Sequence, residues 1–178
     1  MVGNFIADSV VGNRFEGYSP EVIKGIYLHR KIDSFTDSHD VYISSKRKFA
    51  SRFGLYSGIL MDIIYDYYLA KNFATYSDID LQTYCSNSYK LLHQYYAVFP
   101  ENAKRFYGYM TEHNVLYHYS TLEGLETVLT HFNHRIKHRY KLEQAIPILK
   151  KNNAELEVEF AHFFNELSAY CKAEIKLL

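Results

Sequence analysis

The chain has 178 residues with 20 basic and 20 acidic side chains, so no bulk charge draws it to nucleic acid or to an anionic membrane. It holds only 8 Gly and 3 Pro, about half the usual share, which argues against a sandwich or barrel of many short strands and for long helices. Cys85 and Cys171 stand apart and no apolar run nears the ~18 residues that span a bilayer, so no disulfide framework, zinc knuckle, leader or membrane anchor is expected and the chain reads as cytoplasmic.

Residues 1–10 open directly on an apolar segment, and Gly12, Asn13 and Gly17 mark a loop. Ser19-Pro20-Glu21 is a helix start, with Ser as N-cap, Pro in the first turn and an acid beside it; that helix is predicted to run to about Asp37. Further helices are predicted from about Val41 to Phe53, stopped by Gly54, and from Ser57 to Phe73. Another runs from Leu81 to Tyr96 behind a Ser77-Asp78 cap, and another from Pro100-Glu101 to Asn114. The last two run from Thr121 to His138 and from Leu142 or Pro147 to Ile175. Nothing alternates as a strand does. The expectation is one all-α domain of about seven helices. With 18 Tyr, 12 Phe and no Trp, its core must find partners for many buried hydroxyls.

Acids fall on apolar stripes in three places. Leu55, Ile59, Asp62, Asp66, Leu69 and Phe73 step by four and three, one helical face with two carboxylates in its middle. Val22, Ile26, His29 and Asp33 do the same, with Asp37 four residues on, and Asp8 lies three after Phe5. An imidazole and a carboxylate at i and i+4 can present two ligands to one ion. Mixed His and carboxylate donors suit Mn²⁺, Mg²⁺ or Fe²⁺. The same pattern also fits a structural network in which the acids pair with Arg30, Arg47 or Arg135.

Three segments then resemble a known family. They are Gly3-Asn4-Phe5-Ile6-Ala7-Asp8, His29-Arg30-Lys31-Ile32-Asp33-Ser34-Phe35-Thr36-Asp37, and Asp62-Ile63-Ile64-Tyr65-Asp66-Tyr67-Tyr68-Leu69-Ala70. With the later Leu116-Tyr117-His118-Tyr119, Gly124 and Arg135, their order and spacing resemble the acyl carrier protein phosphodiesterases. That family is a divergent branch of the all-helical, Mn²⁺-dependent HD-type phosphohydrolases. The resemblance implies removal of 4′-phosphopantetheine from holo acyl carrier protein. It implies Asp8, His29, Asp33 and Asp66 as the metal-centred site, with Asp37 and Asp62 as acids that bind the ion or adjoin its ligands; on chemical grounds Arg30 and Arg135 are candidate clamps for the phosphate oxygens.

The resemblance departs in two places. Relatives begin with an upstream Asn-Phe-Leu-Ala-His segment that this chain lacks. Many relatives carry His where Tyr67 stands here, and a phenol with its pKa near 10 is a poor Mn²⁺ ligand. Acyl carrier proteins are acidic, so docking is expected on a local basic face: Lys46, Arg47, Lys48 and Arg52, or Arg135, Lys137, Arg139 and Lys141 among His131, His134 and His138. The other functions considered are hydrolysis of a small phosphoester, a catalytically inactive carrier-protein binder, and a helical module whose acids only pair with Arg.

Overall fold

A computed structural model describes residues 1–136 and 140–178, with the backbone alone for residues 134 and 135. The described residues are all-α, with no strand among them. In chain order the helices are α1 (Val2–Ile6), α2 (Pro20–Ser38), α3 (Asp40–Phe53), α4 (Ser57–Lys71), α5 (Leu81–Gln94), α6 (Glu101–Glu112), α7 (Val115–His118), α8 (Leu122–Arg135), α9 (Ile146–Lys151) and α10 (Asn153–Ile175).

The long helices start and stop for local reasons. Ser19 Oγ accepts the Val22 N–H at 3.4 Å ahead of Pro20, so α2 begins where the sequence places it. Gly54 closes α3 at φ 52°, a left-handed conformation that glycine adopts without a Cβ penalty. Helix α5 is capped by Asp80, whose Oδ1 accepts the Thr83 N–H at 2.9 Å, and not by Ser77 or Asp78. Asn114 turns left-handed at φ 45°, which ends α6 at Glu112 and separates the short α7.

The expected single C-terminal helix is broken into a 3-10 turn, α9 and α10. At the break, Asn152 Nδ2 donates to the Ile148 carbonyl at 2.8 Å, a local side-chain bond that competes with the helix ladder. These breaks, with the added α1 and α7, explain why more helices form than the seven expected.

Helix α4 is the central element, buried along Leu60, Met61, Ile64 and Tyr68. Phe160 and Phe163 of α10 pack on Tyr65 at 5.3 and 5.2 Å between ring centres. The tyrosine hydroxyls find partners as the composition requires. Tyr65 shares a hydrogen bond with Ser45 at 2.8 Å, and Tyr68 donates toward Asn153 at 3.2 Å. Ser45 also donates to Glu159 at 2.6 Å, and Lys48 meets the same carboxylate at 2.7 Å.

From Leu55 through Asp66 the stripe does not face this core, which it meets only at Leu69. Leu55 is 99% exposed and Ile59 40%. Helix α4 is apolar on nearly every side, so periodicity does not select its inner face. The residues carrying the two carboxylates are on the side open to water.

Candidate metal centre

The site is built on a contact between two backbones. A Cβ on Gly3 would lie 2.0 Å from the Val22 carbonyl oxygen, and one on Gly25 would lie 3.0 Å from Gly3 Cα. Glycine at position 3 is what lets α1 touch α2, and Gly25 leaves the approach little room for a side chain. Val22 and Ile26 bury themselves at this seam. His29, one turn beyond Gly25, is half-buried at its open end, facing Asn4 of α1 and Asp8 of the following 3-10 turn.

His29 Nε2 lies 3.1 Å from Asp8 Oδ1 and 3.1 Å from Asp33 Oδ2. One donor atom from each residue falls within 4.8 Å of the other two, the one such trio among the described residues. Cis ligands of an octahedral ion with bonds near 2.1 Å are about 3 Å apart, so each pairing of His29 with a carboxylate matches a metal's donor edge. His29 Nδ1 faces Asn4 Oδ1 at 2.6 Å. The amide oxygen accepts the Nδ1 proton, leaving the Nε2 lone pair directed at the two carboxylates when the ring is neutral.

The charges respond to this crowding. The hydrogen bond to Asp8 raises the His29 pKa, opposed by burial and helped by Asp33. The same bond to His29 lowers Asp8. Asp33 is raised, because burial and the nearby Asp8 and Asp37 outweigh the attraction of His29. When His29 is protonated, its Nε2–H donates to Asp8 and the charge of the ring attracts Asp33.

Beyond it runs a row of carboxylates. Asp62 is raised by burial, against a hydrogen bond from Tyr42 Oη at 2.7 Å, and it feels Asp37 and Asp33. Asp66 is pushed up to about 7 by burial and then by Asp62. Both residues reach water, yet enough protein lies around their carboxylates to disfavour the charged forms. Among the described residues no Arg or Lys comes within ion-pair distance of Asp33, Asp37, Asp62 or Asp66. An arginine network that neutralises these acids is therefore not what the fold builds from its described side chains.

The other expected residues fall as follows. Asp66 is not part of the converged trio and joins the row through Asp62. Arg30 donates to the Gly12 and Val10 carbonyls and to Asn13 Oδ1, and lies over the Phe15 ring, so it braces the loop after Asp8. The Arg135 side chain lies outside the described residues, as do those of His134, Lys137, His138 and Arg139 in the second basic run.

Tyr67 is buried against Tyr68 at 5.1 Å, below Lys71, so in this chain position 67 faces the interior and not the acids. Asn4 and Tyr42 were not singled out from the sequence. Asn4 lies within the Gly3–Asp8 segment, but only the fold reveals which ring nitrogen it holds.

The chain matches the family described as acyl carrier protein phosphodiesterase over residues 1–167. It belongs to that family. A relative of that name from Pectobacterium atrosepticum is 26% identical over 175 residues, covering 98% of this chain and 91% of its own. The acyl carrier protein phosphodiesterase of Photorhabdus laumondii is 28% identical over 92% of this chain and 83% of its own. That of Salmonella agona is 27% identical over 95% and 88%. No solved structure matches. Family and relatives alike thus carry the name of a phosphodiester hydrolase. Among the described residues no helix is long and apolar enough to cross a membrane.

Proposed function

We propose that this chain hydrolyses the phosphodiester joining 4′-phosphopantetheine to a serine of acyl carrier protein, using a divalent cation, Mn²⁺ first and Mg²⁺ or Fe²⁺ next, held by Asp8, His29 and Asp33. The observation that carries this reading is His29 Nε2 lying 3.1 Å from each of two carboxylates while Asn4 fixes its other nitrogen. Hard oxygen donors with one imidazole fit such an ion, and the family name supplies the bond. When bound, the cation supplies charge that polarises the phosphoryl group and acidifies a water.

The chain's own residues do the rest. Asp8 and Asp33 would hold the cation together with His29 and offset its charge. Asp37 and Asp62 lie next along the row and hold the attacking water, with Tyr42 fixing Asp62. Asp66 was expected among the ligands, but it stands outside the trio and shares the row with Asp62. A carboxyl with its pKa near 7 is matched to giving a proton to the departing serine oxygen. Water adds to phosphorus and gives one proton to Asp37 or Asp62, the phosphorus–serine oxygen bond breaks, and the serine takes the Asp66 proton and leaves as a neutral hydroxyl.

For docking an acidic carrier protein, the α3 basic run divides. Lys48 is engaged by Glu155 and Glu159, and Arg52 by Gln144. Lys46, over the Tyr42 ring at 5.4 Å and within electrostatic reach of Asp62, stands beside the acids, and Arg47 next to it in the chain is exposed. They are the residues we assign to the carrier-protein face. The test is incubation with holo acyl carrier protein and Mn²⁺, followed by intact mass. Appearance of the apo mass with free 4′-phosphopantetheine supports the reading. Hydrolysis of a small phosphodiester with the holo carrier protein left intact favours the small-substrate alternative.

A further inference from the structure

A second group of metal-binding side chains lies outside the acidic row, around a hollow of about 310 Å³ between α6, α7 and α8. His113, His118 and His131 line it with Glu112 and Tyr109. The fold places them there for identifiable reasons. A Cβ on Gly124 would lie 1.9 Å from the His118 carbonyl oxygen, so α8 starts hard against the end of α7. His131 is seven residues after Gly124, two turns along the same face of α8. The left-handed Asn114 turns the chain sharply between His113 and α7, which brings His118 back to the same hollow.

We propose that this hollow is a second metal site, selective for a borderline-soft divalent ion such as Zn²⁺ or Ni²⁺ and distinct from the Asp8, His29 and Asp33 centre. The His113 and His131 ring centres are 5.4 Å apart. Two imidazoles bound through nitrogen at about 2.05 Å to a tetrahedral ion place their ring centres about 5 Å apart. The Tyr109 hydroxyl meets His131 Nδ1 at 2.8 Å, which fixes that ring and leaves its Nε2 to the hollow.

The lining carries a carboxylate and three imidazoles and neither Lys nor Arg. That is the donor set of a cation, not of a phosphate. Its nitrogen richness separates it from the carboxylate-rich first site, which suits a harder ion. Only Asp8, His29 and Asp33, among the described residues, already have their donors drawn together. Closing the second set takes side-chain rotation of the exposed His113 and His118.

The test is calorimetric titration of the full chain with Zn²⁺ in the presence of saturating Mn²⁺. One Zn²⁺ per chain is expected, retained in His29→Gln and lost in His113→Ala/His131→Ala, with Mn²⁺ binding and hydrolysis unchanged in the double variant. Ring-nitrogen NMR of the wild-type chain covers the case in which the double variant misfolds: Zn²⁺ must shift the His113 and His131 resonances. Zn²⁺ uptake that disappears in His29→Gln, or rings of His113 and His131 that do not respond, would overturn the proposal.

Discussion

Asn4 Oδ1 lies 2.6 Å from His29 Nδ1, so the nitrogen that faces Asp8 and Asp33 is Nε2. A ring held in this way offers one lone pair in one direction. Replacing Asn4 with Ala leaves the ring free to rotate and to change tautomer. Mn²⁺ affinity is expected to fall about 10–100-fold, with helical content unchanged. Calorimetry beside circular dichroism checks this. Affinity unchanged in Asn4→Ala would show that the contact does not set the ligand.

Asp33 and Asp66 should fail differently. Asp33→Asn removes a trio donor and should abolish metal binding and turnover together. Asp66→Asn should bind Mn²⁺ normally and lose turnover. In the wild type, kcat should fall as pH rises through about 7, where the Asp66 proton is lost. Loss of Mn²⁺ binding in Asp66→Asn would return that residue to the ligand set.

The metal-free protein should lose stability as pH rises from about 4 through 7. Asp33, Asp62 and Asp66 have raised values, so over this range the folded state keeps protons that the unfolded chain releases. His29, also raised, adds stability that is complete below its unfolded value and lost as pH passes its folded one. Asp8 acts oppositely, its contribution being lost only as pH falls through its depressed value. Thermal melts across pH check the slope. Mn²⁺ should cancel it above neutrality by binding the folded state alone, and Asp66→Asn should raise the metal-free melting temperature at pH 8.

Two lysines two residues apart should separate docking from folding. Lys46→Ala should raise KM for acyl carrier protein, more at low salt than at high, with kcat little changed. Lys48→Ala strands the mostly buried Glu159, to which Lys48 and Ser45 both donate. It should destabilise the fold by on the order of 3 kcal/mol. Paired denaturation curves and kinetics at two salt concentrations read both effects.

Gly3→Ala forces a methyl group into the Val22 carbonyl and should cost about 1–3 kcal/mol while weakening Mn²⁺ binding, because α1 carries Asn4 away from His29. Gly25→Ala meets contacts of 3.0–3.3 Å and should be milder. Melting with and without Mn²⁺ measures both.

Part of this was legible beforehand. Ser19-Pro20 and Gly54 set helix ends locally as expected, and the i, i+4 spacing brings His29 and Asp33 together. The crowding that raises Asp66 did not show, because α4 is apolar on nearly all sides and its open face emerges only when α3, α8 and α10 pack on the others. The Gly3–Gly25 contact was equally hidden, since a glycine inside a helix does not announce which backbone it admits. Asp80 displaced Ser77 and Asp78 as a cap because it immediately precedes Leu81, where the helix starts. The break at Asn152 depends on one side-chain hydrogen bond that competes with a continuous apolar pattern.

The central claim is that His29 and its two carboxylates hold the catalytic ion. Electron spin-echo spectroscopy of the chain loaded with one equivalent of Mn²⁺ tests it directly. The account predicts coupling to a single histidine nitrogen in the wild type, absent in His29→Gln. Coupling that persists unchanged in His29→Gln, or no nitrogen coupling in the wild type, would contradict it.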